Sequence, residues 1–138
     1  MIVQELRYEE VEHTADIAIR VRGRDLAELF ANAAYGMASQ MTDIRDLEVT
    51  TMKEVELQAD DAEILLVEWL SELVYLGELE DVAFIEFDMA RVTPHSVQAV
   101  VRGGPIKEHQ AHIKAVTFSE LDIRKTDDGL ETVIVFDV

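Results

Sequence analysis

Two aspartates sit in matching settings at opposite ends of the chain. Asp16 opens the alternating run Ile17-Ala18-Ile19-Arg20-Val21, and Asp137 closes the apolar run Leu130 to Phe136, one residue before the C-terminal Val138. If the two runs are antiparallel neighbours, both carboxylates and the Val138 α-carboxylate meet at one edge of a sheet. Like charges gathered in this way are costly unless a cation or a proton intervenes, and oxygen-only ligation suits hard ions such as Mg²⁺, Ca²⁺ or Mn²⁺. Spacing alone favours an Asp16 that caps a turn after His13-Thr14 and an Asp137 that is a solvated terminal residue.

Other candidates are sparser. His13, beside Asp16, is a turn hydrogen-bonder or an acid–base group, since imidazole titrates near neutrality. His109 and His112 stand three apart, a spacing that serves one metal only on a helix, and Gly103-Gly104-Pro105 upstream predicts a loop instead. Lys114, in Ile113-Lys114-Ala115-Val116-Thr117, is an isolated cation that could meet a carboxylate or a partner's phosphate, or simply guard a strand edge against aggregation. The chain lacks a Walker loop, a Gly-x-Gly-x-x-Gly turn, a Gly-x-Ser-x-Gly elbow and a His-Glu-x-x-His helix. A metal-dependent hydrolase built on His13, Asp16 and Asp137 would therefore want both a nucleophile and a substrate cradle.

Charge limits the partners. With 12 basic against 29 acidic residues, a formal −17, the chain opposes the counterion release on which nucleic-acid binding depends, so extensive direct RNA binding is not expected. There is no cysteine, which removes disulfides and thiolate chemistry and suits a reducing cytoplasm. The start has no basic region followed by an apolar one, and Glu68, Ser71 and Glu72 interrupt the most apolar stretch, so neither a secretory signal nor a membrane span is expected.

The elements that must position these residues are legible from periodicity. Tyr8 to Val11 and Asp16 to Arg22 read as strands, the second with Ile17, Ile19 and Val21 on one face. Asp25, with Glu28 three residues on, caps a helix running to about Ser39, whose stripe is Leu26, Leu29, Phe30, Ala33, Ala34 and Met37. Leu47 to Ala59 reads as a strand. Asp60 and Asp61 then start a more apolar helix that is predicted to end near Leu76, with Gly77 as its C′ residue. Strands are predicted at Ala83 to Val92, Ser96 to Arg102, Val116 to Lys125 and Leu130 to Phe136, the last two joined by Asp127-Asp128-Gly129. Between them, the stretch from Gly103 to His112 reads as a mobile surface loop. The pattern predicts one α+β domain over residues 1–138, with two helices on a mainly antiparallel or mixed sheet.

Several blocks resemble the archease family, in order and over nearly the whole chain. They are Tyr8 to Ile17, Leu26 to Ala34 with Met37, Trp69-Leu70-Ser71-Glu72-Leu73, Ile113 to Thr117, and Phe136-Asp137-Val138. Phe118-Ser119 departs from the family's frequent Tyr-His, and the connection from Gly103 to Ile113 is shorter than the family's. The resemblance implies a protein cofactor, not an enzyme. It would activate an RtcB-type tRNA-splicing RNA ligase by promoting guanylylation of the ligase histidine and multiple turnover. A role as modulator of a tRNA methyltransferase is also proposed within the family. It further implies a divalent cation on Asp16 and Asp137, a functional lysine at Lys114, and His13 as a further functional residue.

Overall fold

The computed structural model describes residues 7–11 and 16–138. In chain order the elements are β1 (Tyr8–Val11), β2 (Ile17–Gly23), α1 (Leu26–Met41), a 3₁₀ turn (Ile44–Asp46), β3 (Thr51–Gln58), α2 (Ala62–Glu80), β4 (Val82–Thr93), β5 (Ser96–Pro105), β6 (Ala115–Val116), β7 (Arg124–Thr126) and β8 (Gly129–Asp137). They form two antiparallel sheets, one in the order β1-β2-β8-β6 with β7 also on β8, the other in the order β3-β5-β4. This is the predicted α+β class, with the strands divided between two sheets. α1 packs against both β2 and β4. One core cluster joins the sheets and helices, from Ile19, Val21, Ile134 and Phe136 to Val55, Val97 and Val101.

Local chemistry explains the helices. The Asp25 carboxylate accepts the Glu28 N–H at 2.9 Å, and Glu28 reaches back to the Arg24 N–H at 3.1 Å, closing the capping arrangement one residue earlier than the usual box. Asp61 caps α2 through the Ile64 N–H at 2.8 Å. Trp69 at the centre of α2 is fully buried; its indole N–H donates to the Phe30 carbonyl of α1 at 3.0 Å, and its ring meets Phe87 of β4 edge-on.

Four expectations need correction. α2 does not stop at Gly77 but continues to Glu80, and Asp81 takes the left-handed cap at φ 55°. Gly77 serves a close approach instead, since a Cβ there would lie 2.7 Å from the Val82 carbonyl oxygen. Gly103-Gly104-Pro105 does not open a loop but extends β5, where a Cβ on Gly103 would fall 1.9 Å from the Ala83 carbonyl oxygen. The third strand begins at Thr51, not Leu47, because residues 47–50 cross over Gly104, whose added Cβ would meet the Glu48 carbonyl oxygen. Finally, Val116 to Lys125 is two short strands. Val116 pairs with Phe136 but Arg124 with Glu131, so the chain between is too long for one ladder and turns at Phe118 to Leu121, with Glu120 at φ 61°.

Candidate functional site

Three strands converge at one end of the larger sheet. β2 starts there, β8 ends there, and β6 lies on the far side of β8. Ile17 pairs with Phe136, so one further step of the same register sets Asp16 across from Asp137 on the sheet face shared by Ala18 and Val135. From the other side Ala115 pairs with Asp137, and the Lys114 N–H donates to the Asp137 carbonyl at 2.8 Å. Asp137 and Lys114 are exposed, Asp16 is half-buried, and Val138 keeps 39% of its surface exposed. The antiparallel adjacency that the sequence left conditional is therefore present. The juxtaposition depends on β2 and β8, whose alternating apolar faces lie in the core and fix the register, since a slip by one residue would turn Ile17, Ile19 and Val21 outward.

The donor set fits a hard divalent cation. Two side-chain carboxylates and one α-carboxylate are all oxygen donors, they flank or end strands instead of filling core positions, and the exposure of Asp137 and Val138 leaves room for waters to complete six to eight ligands. Among the described residues, no group of three or more His, Asp or Glu side chains is gathered for a metal, so the candidate rests on the main-chain carboxylate as well as the two aspartates. His13 lies outside the described residues. His109 and His112 are in no helix, as expected, and instead of facing a common metal each turns to a carboxylate at the end of α2.

A cavity of about 750 Å³ lies elsewhere, at the opposite end of β2, between Arg22-Gly23-Arg24, α1, Phe87 to Met89 and the β7–β8 turn. Its arginines are engaged. Arg22 pairs with Glu131 at 2.8 Å and Glu9 at 3.1 Å, Arg24 with Glu28 at 2.8 Å, and Arg7 donates to Asn32 at 3.0 Å while lying over the Tyr35 ring. The hydrogen bonds from Arg20 and then Arg22 hold the Glu9 carboxyl below its ordinary value. Alternation along β2 puts Arg20 on the face opposite Ile19, but its partner Glu9 is found only once β1 and β2 are paired in register.

The fold is a single α+β domain in which β8 ends at Asp137 across from the start of β2. The chain belongs to the archease protein family (MTH1598/TM1083), whose pattern it matches over residues 8–138. It is 38% identical over 140 residues to the protein archease of Methanosarcina acetivorans, covering 96% of each chain. Its fold is similar to the solution structure of protein 1598 of Methanobacterium thermoautotrophicum, with a TM-score of 0.81 and 28% identity over 97% of this chain and all of the other. It is also similar in fold to an archease of Thermotoga maritima described as a possible chaperone, with a TM-score of 0.68 and 23% identity over 94% of this chain and 96% of the other. No helix among the described residues is long and apolar enough to cross a membrane.

Proposed function

We propose that this archease is a non-enzymatic activator of an RtcB-type tRNA-splicing RNA ligase in the cytoplasm, promoting guanylylation of the ligase and multiple turnover. It would act through a divalent cation, Ca²⁺, Mg²⁺ or Mn²⁺, held by Asp16, Asp137 and the Val138 α-carboxylate. The observation that carries this reading is the meeting of Asp16 and Asp137 across the β2–β8 register, with Lys114 hydrogen-bonded to the same residue of β8. A cation there would relieve the repulsion between the carboxylates and stand at an exposed sheet end, where a partner can share its open coordination positions. Lys114 supplies the positive charge next to that cation for a phosphate or carboxylate of the partner. His13 is retained as a further contributor on the family resemblance alone.

The charge supports the same reading. A −17 surface is repelled by RNA but attracted to the basic, RNA-binding cleft of a ligase, so the protein can bring a cation to that cleft without gripping the substrate. The test is RNA ligation with substrate in large excess over the RtcB-type ligase of the same organism, with and without trace amounts of this protein. Ligation beyond one turnover only in its presence supports the proposal. Ligation unchanged by the protein overturns it and gives precedence to the tRNA methyltransferase as partner. Phosphoester turnover by the isolated protein would instead return the hydrolase.

A further inference from the structure

The segment 106–114 joins the two sheets, running from the end of β5 to the start of β6, and its last residue is Lys114. It is fastened at several points. The Ile106 N–H donates to the Asp81 carbonyl at 3.0 Å, the Gln110 N–H to the Met41 carbonyl at 2.8 Å, and the Thr42 hydroxyl to the Glu108 carbonyl at 2.8 Å. Ile106 and Ile113 are buried at its two ends. Between them both histidines reach the end of α2, with His109 Nε2 2.9 Å from Asp81 Oδ1 and His112 Nε2 3.8 Å from Glu78 Oε1.

We propose that His109 and His112 are positioning residues, clasping Asp81 and Glu78 so that the connector delivers Lys114 to its place beside Asp137, and that the clasp tightens when the two imidazoles are protonated. The proposal rests on the activator reading for the importance of Lys114; the clasp itself does not.

The case is one of geometry and charge. β6 pairs only Ala115 and Val116 with β8, so the strand that follows Lys114 is too short to hold the connector down alone. What holds it must lie upstream, and the histidine contacts are the charged part of that hold. The charged groups lining the roughly 360 Å³ cavity between connector and helix are Glu78, Asp81, His109 and His112 and no others. In the same last turn of α2, Glu80 pairs with Lys53 at 2.7 Å. On the α1 side, Asp43, Asp46, Lys107 and Glu108 line a separate cavity that includes neither histidine. The C-terminal end of α2 carries the negative end of the helix dipole, which adds to the attraction for a protonated ring. Imidazole gains its charge over the range near neutrality. With the rings protonated the clasp is two ion pairs, and with the rings neutral it is two weaker polar contacts.

The test reads the isolated protein first. Exchange of the Lys114 amide hydrogen, corrected for its intrinsic rate, is measured by NMR at about pH 6 and about pH 8. The wild type is expected to protect this amide about fivefold better at the lower pH, the ratio that two exposed ion pairs of ordinary strength supply. His109→Gln with His112→Gln should remove the dependence on pH. His109→Lys with His112→Lys, which keeps a positive charge throughout, should give high protection at both values. Equal protection in the wild type at both pH values, or a pH effect that survives in the double Gln variant, overturns the clasp. The ligation assay then tests the consequence: the double Gln variant should require more protein for half-maximal activation than wild type, and the double Lys variant should restore it. Unchanged activation in the double Gln variant overturns the positioning role. A wild-type protein that activates no ligase refutes the functional reading, while the exchange result still decides the clasp.

Discussion

The main-chain N–H of Lys114 donates to the carbonyl of Asp137 at 2.8 Å, which fixes the spacing between the only lysine of the connector's last turn into β6 and the acidic end of β8. Because the contact is made by the backbone, it survives substitution of either side chain. The two residues can therefore be altered separately without moving the strands that carry them.

Asp16→Asn and Asp137→Asn should each reduce activation of the ligase at least tenfold, the scale on which losing even an outer partner of a metal ligand is felt. Neither removes core volume, and Asp137 is exposed. Melting temperatures should stay close to wild type, and divalent-cation binding measured by calorimetry should weaken in parallel with activation. Full activation by either variant would contradict the metal assignment.

Trp69→Phe removes buried volume and the hydrogen bond to the Phe30 carbonyl that links the two helices. Its expected cost is about 1–3 kcal/mol in urea unfolding. A loss below about 0.5 kcal/mol would show that this link matters little to the fold.

Gly103→Ala places a methyl group against main-chain atoms of β4, 1.9 Å from the Ala83 carbonyl oxygen and 2.7 Å from the Phe84 Cα. Backbone on the receiving side has little freedom to retreat, so the edge strand β4 must separate from the central β5. We expect a loss of about 3 kcal/mol or failure to fold, seen in denaturant titration. An unchanged midpoint would contradict the close packing of β4 on β5.

Acid stability has a defined sign. Hydrogen bonds from the Arg45 guanidinium and main chain hold the Asp43 carboxyl down at about 2, against an ordinary 3.8, and Arg24 and Arg20 lower Glu28 and Glu9 in the same direction. The unfolded chain therefore binds protons more readily than the native one as pH falls. For Asp43, the stabilisation is complete above its ordinary value and disappears as pH falls through about 2. The melting temperature should fall between about pH 4 and pH 2, and Arg45→Ala should make that fall shallower. Parallel wild-type and Arg45→Ala curves would contradict the pairing.

Much of this was readable in the chain. The alternation of Ile17, Ile19 and Val21 and the stripe from Leu26 to Met37 located β2 and α1, because each period records one buried face. The carboxylate edge was readable as a condition, since Asp16 and Asp137 flank apolar strands, but only the β2–β8 register made them neighbours. Glycine misled where the reason for it was tertiary. Gly77, Gly103 and Gly104 read as breaks, yet each is required by backbone passing within a Cβ's reach, from Val82, Ala83 and Glu48 respectively. The histidine pair read as loop residues without partners because Glu78 and Asp81 come near them only through the crossing from the smaller sheet to the larger.

The central claim is that the carboxylates at the end of β8 and the start of β2 drive activation of the ligase. Its most direct test is transfer of labelled guanylate from GTP to the RtcB-type ligase, with no protein added, with wild type, and with Asp137→Asn. Faster or more complete guanylylation with wild type, returned to the unassisted level by Asp137→Asn, is the predicted result. Equal stimulation by both proteins would contradict the account.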